Sequence, residues 1–173
     1  MSDASSGQSP RRKKQLVYKV VTVPGNYTRA CDQFNSGLFF ECHETFEEIW
    51  QEEQGEVRDL YKGLIQIAAA FVHITRANLF GANRLCTTAL GYLAPYRAAG
   101  AMGWDVDRIC RETEDAHRRV VQLGKPRLAE FDLSKRPFYE FDASKLADEA
   151  KRWSAWGFDR DGNTLETEIA VVE

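Results

Sequence analysis

The sequence is short of several features that would identify a function by themselves. It has only three histidines and four cysteines among 173 residues. The cysteines, Cys31, Cys42, Cys86 and Cys110, form no C-x-x-C pair and match no zinc spacing. They read as buried free thiols of a reducing compartment. No apolar run is long enough to span a bilayer: the longest, Leu64 to Ile74, is broken by Gln66 and His73. No charged and apolar leader of the secretory type opens the chain, so a cytoplasmic protein without a membrane partner is expected. The net charge of -3 arises from mixed signs, so nucleic acid is not an expected partner. The basic cluster Arg11 to Lys14 is alone in pointing the other way, and it reads as part of a solvated arm. No repeat of fixed period occurs.

What is present is a large apolar fraction, 43% with 12% aromatic, enough for a real core. Residues 1–14 are Ser/Gly-rich and then basic, and predict a disordered arm. Residues 15–26 are β-branched up to Pro24-Gly25 and predict an extended segment. From residue 27 to 124 the periodicity is helical. Helices are expected over 27–36, 38–53, 56–78, 81–98 (bent or ended near Pro95) and from the cap Asp105 to Leu123, stopped by Gly124. Short connections imply antiparallel neighbours, so the fold class is all-α, an antiparallel bundle of about five helices. Residues 125–173 read as an extension, with a short helix over 144–156 and a late strand able to pair with residues 16–23. Asp159 to Asn163 is similar in composition to a calcium loop, but Thr164 and Ala170 stand where such a loop needs Gly and Glu, so it reads as a turn.

The second helix carries Cys42-His43-Glu44-Thr45-Phe46-Glu47-Glu48-Ile49-Trp50. On a helical wheel Phe39, Cys42, Phe46, Ile49 and Trp50 share one arc, while Glu41, Glu44 and Glu48 lie opposite and are expected in solvent. His43 falls inside the apolar arc, with Glu47 one turn on at its edge, so the two can touch. Two chemistries suit such a pair: a structural couple in which each satisfies the other, or two ligands of a divalent metal. The H-E-x-x-E string departs from the H-E-x-x-H of zinc proteases, because Glu47 replaces the second His.

The third helix is apolar nearly all round. A strip of Gly63, Gln66, Ala70, His73 and Ala77 runs along it, with Gln66 and His73 two turns apart. Both need hydrogen-bond partners when buried, and His43 and Glu47 are the expected ones. The result would be a single cluster of His43, Glu47, Gln66 and His73, a site for a metal or small ligand or else a purely structural network. Di-metal bundles use paired Glu-x-x-His motifs, whereas this chain has one, Glu114-x-x-His117, which joins the cluster or lies at the surface. The rival to a ligand site is a helical module for a protein partner, to which Trp153 and Trp156 would contribute.

The string from Phe34 to Trp50 with its His-Glu-x-x-Glu-x-x-Trp, then Lys62-Gly-Leu-Ile-Gln66 through His73, then Asn78-x-x-Gly81-Ala82, resembles the family called domain of unknown function 309 over about residues 27–98. The resemblance implies an all-helical bundle and no established activity. The family pattern maps onto His43, Glu44, Glu47, Trp50, Gly63, Gln66 and His73 and adds weight to the cluster without saying what it does; the candidate metal ligands His43, Glu47 and His73 come from the helical wheel itself. Residues 1–26 and 125–173 lie outside the resemblance.

Overall fold

The computed structural model describes residues 16–150 and 166–172. The basic arm, the calcium-loop-like turn and both Trp153 and Trp156 lie outside the described residues. The described chain runs β1 (Tyr18–Pro24), α1 (Gly25–Asn35), α2 (Phe39–Glu52), α3 (Arg58–Thr75), α4 (Leu79–Leu93), α5 (Val106–Arg127), α6 (Ala143–Ala150) and β2 (Glu166–Val172). Among the described residues the helical bundle expected from periodicity is what forms, with one two-stranded sheet beside it. β1 and β2 pair antiparallel, Tyr18 opposite Val172 and Pro24 opposite Glu166, which joins the two extended segments read from the sequence.

Local chemistry explains where the helices begin and end. Gly37 takes φ +82° and turns the chain between α1 and α2. The Asn78 side chain accepts from the Gly81 amide at 3.1 Å and caps α4, and Asp105 accepts from the Arg108 amide at 3.0 Å and caps α5. Pro95 lies in a 3-10 turn, Ala94–Tyr96, just past the end of α4, because its ring cannot continue an α-helix. α5 departs from helical geometry at Gly124 (φ 63°, ψ -179°), the stop expected there.

α3 is the central element and packs against both α2 and α4; α1 lies on α2, and α5 on α4. Leu60, Leu64, Ile67 and Phe71 of α3 are fully or almost fully buried. An aromatic cluster closes one side. Phe34 stacks on Tyr139 with ring centroids 3.8 Å apart, and Phe46 and Trp104 meet Tyr139 edge-on. The segment after α5 therefore belongs to this core: Leu128, Phe131, Tyr139, Ala143 and Leu146 are all buried. The Asn35 amide fixes it by bonding both the Tyr139 carbonyl and the Tyr139 amide at 2.8 Å.

All four cysteines are free and buried, as the spacing implied. Burial pushes the Cys86 thiol up to about 12 and the Cys110 thiol up to about 11; it raises Cys31 and Cys42 as well. Thiols held neutral are poor nucleophiles and poor metal ligands. The sign of the linkage follows. Below the ordinary thiol value of 9.0 the groups are protonated whether the chain is folded or not, and their contribution is complete. Above it the unfolded chain releases protons that the folded chain keeps, so stability falls, by about 1.4 kcal/mol per pH unit for each such thiol. Urea melts at successive pH values are expected to be flat in this respect up to that value and to lose stability up to Cys86's 12. A Cys86→Ala, Cys110→Ala double variant should show a shallower alkaline slope.

Candidate functional site

α2 carries His43, Glu47 and Trp50 at a spacing of four and then three residues, which puts them on one stripe over two turns. The His43 ring lies between two carboxylates. Its Nδ1 is 3.1 Å from Glu44 Oε1 and its Nε2 is 3.6 Å from Glu47 Oε1. Side-chain exposures of 24%, 45% and 27% for His43, Glu44 and Glu47 leave the group open to solvent and to ions. One ligating atom from each of the three lies within 4.8 Å of the others, and no further group of this kind occurs among the described residues. The exposed Phe40 ring lies near-parallel to the imidazole, 6.1 Å away, on the preceding turn.

Glu44 thus departs from the solvent-facing role expected of it. It remains half-exposed, but its carboxylate turns back to the neighbouring imidazole. Glu48 reaches across to Arg29 on α1 at 3.4 Å.

The structure does not bring Gln66 and His73 into this group. The Gln66 carbonyl accepts from the Thr88 hydroxyl on α4. His73 Nδ1 pairs with Asn78 Nδ2 at 2.9 Å, and its ring presses on Gly81, where an added Cβ would come within 2.5 Å of Nδ1. The strip of small residues on α3 admits a close neighbour, and that neighbour is α4: Gly63 faces Leu93 and the Ala89 carbonyl. A helix apolar on all sides has two partners, and the wheel alone cannot say which strip faces which.

The Glu114-x-x-His117 pair divides in the same way. Glu114 takes both terminal nitrogens of Arg97, and that guanidinium holds its carboxyl below the usual range. His117 Nε2 bonds Asn83 Oδ1 at 3.2 Å, and burial lowers its pKa. Neither residue joins α2.

Trp50 has company that sequence reasoning missed. The Arg58 guanidinium sits 3.9 Å from its ring centroid and the Lys62 ammonium 4.3 Å. The signal was available: Arg58 and Lys62 are four apart at the start of the helix that follows α2, where a cation pair on an aromatic is a natural contact.

Comparison with known proteins agrees with this helical region. Residues 27–85 match the family model described as a domain of unknown function, DUF309. Every residue of the α2 group, together with Arg58, Lys62, Gln66 and His73, falls inside that match. The chain is also similar to the uncharacterized protein YpuF of Bacillus subtilis (strain 168), 36% identical over 84 residues, which cover 47% of this chain and 48% of that protein. The chain thus spans about half the length of that relative. No solved structure matches. No helix among the described residues is long and apolar enough to cross a membrane.

Proposed function

We propose that the DUF309-like region binds a divalent cation on α2, with His43 Nε2 and a Glu47 carboxylate oxygen as protein donors and Glu44 as the group that orients the imidazole. The observation that carries this reading is the placement of His43 between two carboxylates. A metal-bound histidine commonly gives its other ring N–H to a carboxylate, which fixes the tautomer and strengthens the donor. Nδ1–H to Glu44 supplies that bond, and it leaves Nε2 facing Glu47. One imidazole with carboxylate suits zinc, manganese or iron(II), and offers too few oxygens for calcium. Two donors on one helix leave most coordination positions to water or to a ligand, so the site would serve to hold a second molecule rather than to staple the fold. The rival reading is a helical module for a protein partner in which the cluster is purely structural; Trp153 and Trp156, its expected contributors, lie outside the described residues.

The test is equilibrium dialysis of untagged protein against Zn²⁺ and Mn²⁺. One ion per chain is expected. His43→Ala and Glu47→Gln should abolish the binding, and Glu44→Gln should weaken it by about 10- to 100-fold, all with unchanged circular dichroism. Equal metal uptake by wild type and His43→Ala would defeat the proposal.

A further inference from the structure

One turn beyond Glu47 the chemistry changes sign. Trp50 lies three residues on along α2, about 4.5 Å further along the axis, and there the ring carries both Arg58 and Lys62. Two like charges on one aromatic repel each other, and cation–π attraction offsets only part of that. Among the described residues neither cation has a carboxylate partner. Of the acids nearby in sequence, Glu53 is engaged elsewhere: its Oε1 accepts from the Gly55 amide at 2.6 Å. Two donors here are also unsatisfied, the Trp50 indole N–H and the Arg58 Nε–H, both buried without an acceptor. Neither group can do anything but donate, and a buried donor left unpaired costs stability.

Two cations without a carboxylate partner and two unsatisfied N–H donors therefore gather around the Trp50 ring, one turn from a candidate cation site. We propose that Trp50, Arg58 and Lys62 form an oxyanion subsite, so that the ligand of this protein is a small molecule with a carboxylate or phosphate group. Its oxyanion would sit against Arg58 and Lys62, and another of its oxygens would complete the coordination of a metal on His43 and Glu47. The second half of this statement rests on the metal reading above; the first half does not. A cation to hold one end of the ligand and a guanidinium–ammonium pair to hold the other would give orientation as well as affinity.

Titration of the full chain followed by the Trp50 indole N–H resonance, assigned by its loss in Trp50→Phe, tests both halves. Inorganic phosphate and malonate are the two probes, each added to metal-free protein and then to protein loaded with Zn²⁺. A saturable shift of the Trp50 signal in metal-free protein is expected, weakened at least about tenfold in Arg58→Gln and in Lys62→Gln and retained in Arg58→Lys. Phosphate binding more tightly than malonate assigns a phosphate ligand, and the reverse order a carboxylate. With Zn²⁺ present the affinity should rise about tenfold or more in wild type and stay unchanged in His43→Ala. Saturation without any gain from Zn²⁺ would overturn the bridging role while upholding the oxyanion subsite. No saturable shift in either state, or one indifferent to Arg58→Gln and Lys62→Gln, would overturn the subsite itself.

Discussion

Tyr139→Ala is expected to destabilise the protein by about 3–5 kcal/mol and to lower Tm by roughly 6–20 °C. Tyr139 is buried, stacks on Phe34 and meets Phe46 and Trp104 edge-on. Its hydroxyl donates to the Leu64 carbonyl at 2.7 Å, which ties the segment after α5 to the middle of α3. Truncation leaves a large cavity, because aromatic neighbours on three sides cannot all move inward. Tyr139→Phe removes only the hydroxyl and should cost about 1–2 kcal/mol. Urea denaturation of the two variants separates packing from hydrogen bonding. A loss below 1 kcal/mol for Tyr139→Ala would mean that the segment is not part of the core.

The second large effect concerns His73, and its sign depends on background. Gly81→Ala places a methyl group 2.5 Å from His73 Nδ1 and 2.6 Å from its Cγ. The imidazole must then swing away from Asn78, which itself caps α4. The expected cost is about 1–3 kcal/mol. With His73→Ala in place the obstruction is gone, and the same Gly81→Ala should become neutral or stabilise by up to about 1 kcal/mol, the ordinary preference of a helix for alanine. A double-mutant cycle read by chemical denaturation measures the coupling. Metal uptake by His73→Ala should equal that of wild type. This separates the two histidines by role: His73 holds the turn between α3 and α4, and His43 sits part-buried between its two carboxylates.

The order of helices, the cap Asp105, the stop at Gly124 and the strand pairing follow from patterns visible along the chain, whereas Asn78, read as the end of α3, caps α4 instead. The cap and the stop are each set by a few neighbouring residues. The pairing of His43 with Glu47 was legible for the same reason, since four residues along a helix fixes a contact. What the wheel could not supply was the partner of each α3 strip. Gln66 and His73 needed hydrogen bonds, and α2 offered candidates, but α4 approaches more closely through Gly63 and Gly81 and takes both. The wheel puts Glu44 in solvent, while the family resemblance has it in the cluster; a wheel treats a side chain as a radial spoke, whereas a glutamate can lean back along the surface to its neighbour. Tyr139 lies in a stretch with no periodicity, so nothing local marked it as core.

The most direct measurement of the metal reading is anomalous scattering from crystals soaked in Zn²⁺, recorded on both sides of the zinc edge. One peak is expected about 2.0–2.2 Å from His43 Nε2 and from a Glu47 carboxylate oxygen, with Nδ1 still bonded to Glu44. A peak elsewhere, or none at His43 in crystals whose solvent holds the ion in excess, would contradict it.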